Sequence, residues 1–195
     1  MLSYEESLKI LKKTNALLEG HFILSSGLHS SQYVQCAKLL SHPLQAEIIC
    51  KSLTENIKKK FTKIDLVLSP ALGGVIVGYE IGRQLNVETI FSERVDGKLI
   101  LRRGFEILNK SNVLIVEDVI TTGKSALECA KIVKASNANL LGYACIIDRT
   151  SKKSLIKDSI VSQVKIEIPT FPSNKIPESL KKILPTKPGS RNVIK

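Results

Sequence analysis

Two adjacent carboxylates, Glu117 and Asp118, stand just ahead of a turn of small and hydroxyl-bearing residues, Thr121-Thr122-Gly123-Lys124-Ser125, and this is the stretch whose types and spacing could do chemistry. Carboxylates accept hydrogen bonds from sugar hydroxyls, and short side chains around a glycine let a phosphate approach the backbone. A ligand with hydroxyls for the acids and a phosphate for the turn fits a ribose 5-phosphate. The intervening Val119 and Ile120 would belong to the same loop.

The local pattern explains how these groups could be held. Val113 to Val116 is a short uninterrupted apolar run, which suits a strand buried on both faces of a parallel sheet, and the two acids fall at its carboxyl end. Ligands of open α/β sheets lie in the crevice outside such ends. From Ser125 onward Ala126, Leu127, Cys129, Ala130, Ile132 and Val133 recur at helical spacing, so a helix N-terminus faces the turn with unpaired N–H groups. The turn resembles the end of a Walker A loop, but that motif needs glycine where this chain has Asp118, and an ATPase reading fails there.

A second unit repeats the design. Asp65 to Leu68 reads as a strand, and Ser69-Pro70-Ala71-Leu72-Gly73-Gly74 as a tight turn before a helix carrying Val75, Ile76, Val77, Ile81 and Leu85. The turn is either a second anion cradle or a glycine-rich packing turn, and a neighbouring strand-turn-helix unit favours the cradle. Leu140 to Ile147 forms a further buried strand ending in Asp148-Arg149, which brings a planar guanidinium to the same sheet edge as Asp118 and Thr121.

Around these units the chain supplies flanking elements. Ser3 and Glu6 form a capping box, and Leu8, Leu11, Leu17 and Leu18 carry an outer helix up to Gly20. His21 to Gln35 reads as a hairpin with a turn at Ser26-Gly27; a histidine at such an edge, as His21 and His29 are, is more often a hydrogen-bonding loop residue than a catalyst. Pro43 opens a helix through Ile57, and Val87 to Phe91 is a strand. Ser92 to Phe105 then breaks the rhythm with an Asp96-Gly97 hairpin signal amid Arg94, Lys98, Arg102 and Arg103. Charge alone leaves two readings of that ribbon, a mobile basic flap that closes over a pyrophosphate or an exposed basic hairpin. A strand at Val164 to Ile168, a short helix from Pro177 to Leu184 and a loose tail from Lys187 complete the chain, with no internal repeat and no linker.

Composition bounds the rest. With 195 residues, 43% apolar content and no run of about eighteen apolar residues, the expectation is one cytoplasmic domain without a membrane span or secretion signal. Cys36, Cys50, Cys129 and Cys145 lack metal spacing and read as buried reduced thiols, and no residue is assigned as a metal ligand. The net charge is +11, but the lysine runs, Lys152-Lys153 among them, are short and aromatics are only 5%, which argues against nucleic acid and for polyanionic small molecules.

The chain resembles the bacterial orotate phosphoribosyltransferases, within the type I phosphoribosyltransferases, from about His21 to Arg191. The stretches HFILSSGLHSSQY, SPALGGVIVGYEIGRQL, FSERVDGKLILRRGF, VLIVEDVITTGKS and CIIDR carry the likeness. It implies a twisted parallel sheet with flanking helices, a small hood and a flexible β-ribbon flap, in one phosphoribosyltransferase domain over 1–195. The N-terminal helix and hood hairpin would occupy 1–40 and the flap 92–105.

The implied reaction joins orotate to phosphoribosyl diphosphate (PRPP) with Mg2+ held mainly by the ligand, in a homodimer whose flaps reach the neighbouring active site. On this resemblance Glu117 to Ser125 bind PRPP, with Asp118 also catalytic; Ala71 to Gly74, Arg94 and Lys98 bind pyrophosphate; Thr121 and Arg149 bind orotate. Two departures stand out. Enterobacterial members carry Lys-x-x-Lys-x-His-Gly in the flap where this chain has Arg94-Val95-Asp96-Gly97-Lys98, so Lys98 is the choice of catalytic flap cation. They also have a lysine where Ser25 stands, a contact that is lost or replaced by His29. The rivals are a transferase for another nucleobase and a PRPP-sensing regulator, although the twenty residues before the hairpin are too short for a DNA-binding domain.

Overall fold

Successive residues of a strand point to opposite faces, and here both faces of the central strands find a core. Val67, Leu114, Val116, Ala144 and Ile146 pack into one cluster, while Leu66, Leu68, Val113, Ile115, Tyr143 and Cys145 pack into another on the opposite side. That is why the strands read as continuous apolar runs instead of alternating ones.

The molecule is described by a computed structural model covering residues 1–151, 154–158 and 160–188. In chain order its elements are α1 (Tyr4–Lys13), β1 (Leu17–Ile23), β2 (His29–Val34), α2 (Cys36–Leu40), α3 (Pro43–Lys60), β3 (Leu66–Pro70), α4 (Gly73–Leu85), β4 (Glu88–Val95), β5 (Lys98–Leu101), β6 (Asn112–Ile120), α5 (Lys124–Ala135), β7 (Asn139–Asp148), β8 (Ile160–Lys165), β9 (Thr170–Phe171) and α6 (Glu178–Lys181).

The larger sheet runs β5-β4-β3-β6-β7-β8, with every pairing parallel except the antiparallel β4–β5 ribbon. Chain progress reverses direction between β3 and β6, so the topological switch point lies between the two strands that carry the glycine turns. Helices α3 and α4 contribute Ile49, Leu53, Ile57, Val77 and Ile81 to one cluster, and α5 contributes Ala126, Cys129 and Val133 to the other. A smaller sheet, β1-β2-β9, forms the hood.

Several boundaries differ from the sequence reading. Helix α1 stops at Lys13 instead of continuing to Gly20: the Thr14 hydroxyl donates back to the Ile10 carbonyl at 2.9 Å and Asn15 turns to φ 56°, so Leu17 and Leu18 enter β1. Strand β6 continues through both acids to Ile120. Strand β8 lies at Ile160–Lys165, earlier than expected, and α6 spans only Glu178–Lys181. Helix α2 and strand β9 were not anticipated; β9 is two residues long and exists through its pairing with β2. The Lys152-Lys153 run and the tail from 189 lie outside the described residues.

The N-terminal capping box forms as read: the Glu6 N–H donates to Ser3 Oγ at 3.2 Å and the Ser3 N–H donates to Glu6 Oε2 at 2.7 Å. Helix α1 then lies on β8, where the amide of Gln163 donates to Ser7 Oγ at 2.8 Å. Since the cap is remote from the sheet edge that carries the acids, Ser3→Ala should lower the unfolding free energy by about 1 kcal/mol in denaturant titration while leaving activity unchanged.

Candidate active site

Glycine at position 73 permits a close approach between the two turns. A Cβ built there would stand 2.7 Å from Asp118 Oδ1 and 3.0 Å from Oδ2, so the carboxylate at the end of β6 rests on the backbone of the turn after β3. The two strand-turn-helix units of the sequence therefore meet at the switch point. Gly123, at φ 78°, closes the other turn; a Cβ there would come within 2.6 Å of Ile156 Cγ1, which holds the phosphate-type turn against the segment after β7. The N–H of Leu155 donates to the Thr122 carbonyl at 3.0 Å and strengthens that attachment.

A cleft of about 1120 Å³ opens over this junction. Its floor includes Leu72, Gly73, Asp118, Val119, Thr121 and Thr122, and Arg149 stands in it beside Tyr33 and Cys36. The hood supplies Leu24, Ser25, Ser26 and Leu28, with Thr170 from β9. A second concavity of about 700 Å³ follows the outer side of α5 past Leu127, Lys131, Lys134 and Leu140. It contains neither acid of the pair, and the chemistry does not belong there.

The acids differ in environment. Glu117 is buried behind the cleft, and burial first, then the neighbouring Asp118 charge, push its carboxyl from 4.5 up to about 7. Its Oε1 meets no hydrogen-bond partner among the described residues. Burial also raises Asp118, against the opposing effect of backbone hydrogen bonds from Val119 and its own N–H. Arg149 is held by its N–H donating to the Ile120 carbonyl at 2.9 Å, and burial pulls its guanidinium below the ordinary value. Its Nε is buried without an acceptor among the described residues, a cost that an anionic ligand would remove. Asp148 fixes the turn beneath it by accepting the Thr150 N–H at 2.7 Å.

The flap residues stand apart. Asp96 and Gly97, at φ 46° and 80°, form the expected hairpin turn, but Leu99 is buried against the α5 side of the core. Arg94 donates to Glu128 Oε2 at 2.9 Å and to the Gly97 carbonyl at 2.6 Å. Arg103 pairs with Glu93 at 2.7 Å, and Arg102 lies 3.8 Å from the same carboxylate. Lys98 is exposed and, among the described residues, makes no ion pair. Neither Arg94 nor Lys98 lines the cleft of its own chain. Ala71 lies in the turn after β3, while Gly74 belongs to the first turn of α4 and Lys124 and Ser125 to the first turn of α5; none of the four lines the cleft, and Gly74 packs near Ser69 and the Val116 carbonyl.

Tyr33, Cys36, Ser151, Ser154, Lys187 and Pro188 line the cleft without having been singled out as site residues. Their only sequence signal was proximity to the hairpin or to Arg149, and Lys187 had none. All four cysteines are free and buried, as the composition suggested. No helix among the described residues is long and apolar enough to cross a membrane.

A family model described as a phosphoribosyl transferase domain matches residues 37–182. The chain is 47% identical over 184 residues to an orotate phosphoribosyltransferase of Caldicellulosiruptor bescii, covering 94% of this chain and 96% of that protein. Among solved structures it is similar to orotate phosphoribosyltransferase from Aeropyrum pernix, with TM-score 0.65 and 22% identity over 81% of this chain and 92% of that one. It is also similar to adenine phosphoribosyltransferase from Thermoanaerobacter pseudethanolicus, with TM-score 0.57 and 19% identity over 69% and 88% of the two chains. Those structural likenesses establish the fold and leave the base open.

The raised Glu117 carboxyl has a testable sign. Because its folded value lies above 4.5, its contribution to stability is full below pH 4.5 and is lost as pH rises through about 7. Wild type should therefore lose on the order of 3 kcal/mol relative to Glu117→Gln between those limits, measured by denaturant unfolding. Parallel pH profiles for the two proteins would contradict the assignment.

Proposed function

Since this chain belongs to the orotate phosphoribosyltransferase family, we propose that it transfers the 5-phosphoribosyl group of PRPP to orotate, giving orotidine 5′-monophosphate and pyrophosphate in UMP synthesis. The observation that carries this reading is the junction of Asp118, Gly73 and Arg149 in one cleft at the switch point. It offers a diol acceptor, a close-approach turn and a buried guanidinium to a ligand that has hydroxyls, phosphates and a carboxylate.

In this reading Glu117 and Asp118 accept the ribose hydroxyls, and Thr121, Thr122, Gly123, Lys124 and Ser125 receive the 5′-phosphate at the N-terminus of α5. Val119 and Ile120 carry the backbone between the two groups. The turn Ala71 to Gly74, at the N-terminus of α4, receives pyrophosphate. Bond breaking at the anomeric carbon leaves positive charge on the ribose, and a ring nitrogen of orotate forms the new bond as pyrophosphate departs, the N–H proton of that nitrogen passing to the pyrophosphate or to solvent. The ionised Asp118 can hold that ribose fixed while its charge develops, which is positioning and electrostatic work.

The donor set fits magnesium bound chiefly through its ligand. Among the described residues no group of three or more His, Cys, Asp or Glu converges, while the Asp118 carboxylate stands beside the pyrophosphate-type turn. Asp118 is the residue that would complete a shell of PRPP oxygens, and the ion when bound would offset the charge of the departing pyrophosphate. Arg149 and Thr121 recognise orotate, the guanidinium taking the carboxylate that distinguishes it from uracil.

A homodimer follows in the same reading. Exposed Leu72, Ile76 and Tyr79 recur at helical spacing along α4, beginning beside the cleft, and support an apolar contact with a second copy. Arg94 and Lys98 would serve that copy's pyrophosphate, which accords with their absence from the cleft of their own chain. Lys98, free of ion pairs, is the available cation. We assign the enzyme to the cytoplasm, where four unpaired buried thiols are at home.

Turnover with orotate, compared with uracil and adenine, tests the reading directly, and failure with orotate would end it. Arg149→Ala should raise the KM for orotate roughly tenfold and leave that for PRPP nearly unchanged. A large PRPP defect alone would move Arg149 to the phosphates. Mixing inactive Lys98→Ala with inactive Asp118→Asn should restore part of the activity, because one hybrid site then has both groups; no recovery would mean the flap serves its own chain.

A further inference from the structure

The segment after α6 reaches the cleft because β1 anchors it. The Thr186 N–H donates to the His21 carbonyl at 2.8 Å, and the Ile23 N–H donates to the Thr186 carbonyl at 2.8 Å, so Thr186 lies beside Phe22 as a short parallel bridge. The His21 ring secures the approach to it. Nδ1 sits 2.9 Å from the Ile183 carbonyl oxygen, which can only accept, so Nδ1 carries the proton and donates. In the neutral ring Nε2 then accepts from His29 Nδ1–H, 2.7 Å away. A buried imidazole is thus tied on one side to the C-terminal segment and on the other to β2.

This anchorage fixes where the next two residues go. Lys187 and Pro188 follow directly and line the cleft, as do Leu24 and Ser25 of the hood. Among the described residues lining the cleft, Arg149 and Lys187 are the two cations and Asp118 is the one acid. The phosphate-type turn, Thr121 and Thr122, is held instead by the segment of Leu155 and Ile156. Lys187 thus comes to the cleft from the hood, through Thr186 and β1, and not from the segment that holds the phosphate-type turn.

Resting on the reading of the cleft as an orotate phosphoribosyltransferase site, we propose that Lys187 is a substrate-positioning residue which, with Arg149, holds the anionic base. Two cations share one carboxylate-bearing ring: the buried guanidinium supplies a directional fork, and the exposed ammonium supplies a point charge on a flexible stem. His21, through Ile183 and Thr186, sets the position of that stem. The segment beyond α6 is in this view part of the specificity pocket and not a trailing end.

Steady-state kinetics of Lys187→Ala, Lys187→Arg and Lys187→Glu, each with its melting temperature, test the proposal. The alanine variant should raise the KM for orotate roughly fivefold with little change in the KM for PRPP, in kcat or in melting temperature. Arginine should restore most of the affinity, and glutamate should weaken it beyond alanine, since it repels the same anion. An unchanged KM for orotate in Lys187→Ala, with wild type turning over orotate, overturns this inference while leaving the parent reading intact. A rise confined to PRPP, or a joint rise of both constants with a lowered melting temperature, also overturns it, by assigning Lys187 to the phosphates or to structure. A wild-type enzyme inactive with orotate overturns the parent reading and this one together.

Discussion

The contact between Asp118 and the backbone at Gly73 is the constraint on which the site depends. Two strands that are neighbours in the sheet, β3 and β6, end in turns that lead to different helices, and only the absence of a side chain at position 73 lets the acid of one turn lie on the backbone of the other. Any Cβ there would meet carboxylate oxygen inside van der Waals distance and push the Asp118 carboxylate off this position. The parallel register Leu66↔Val113 through Leu68↔Ile115 fixes the height at which the turns emerge. Everything that must touch a ligand is then referred to a frame of strands whose apolar side chains are buried on both faces.

Burial of the acid pair gives that frame a chemical bias. Removing Glu117 and Asp118 from water raises both carboxyls, and the Asp118 charge further opposes ionisation of Glu117. Hydroxyl donors favour the ionised form, so in the proposed reading a bound ribose would draw the pair toward the charge state that a cationic transition state requires. Arg149 presents the complementary case, a cation made unfavourable by burial and left with an unmatched Nε, which gains most from an anion at the same place. The cleft holds ionisable groups at a cost that a ligand carrying both hydroxyls and a carboxylate would relieve together.

Much of this was legible because the deciding signals are local. Apolar runs located β3, β6 and β7 within a few residues, the first two with glycine turns behind them, and Asp96-Gly97 located the ribbon by its need for positive φ. The first helix shows where local pattern misleads: Leu17 and Leu18 continue the apolar spacing of α1, yet Asn15 breaks the helix and the hood hairpin claims both leucines through pairing with Val34 and Tyr33. Cross-chain contacts left no such trace. Strand β9 has two residues, and Lys187 enters the cleft only because Thr186 bonds to β1, which no periodicity can announce.

The basic ribbon shows how a charge pattern divides once coordinates replace spacing. Arg94, Lys98, Arg102 and Arg103 look equivalent along the chain, but Glu128 takes the first and Glu93 the last two, and burial of Leu99 attaches the ribbon to the face of the sheet that carries α5. Exposed ion pairs of this kind contribute little stability, so they orient the ribbon more than they fasten it. What distinguishes Lys98 is therefore that, among the described residues, it makes no ion pair, together with its place beside the hairpin turn. On the hood wall, anchoring falls to backbone pairing and a buried imidazole, which together bring Lys187 to the cleft.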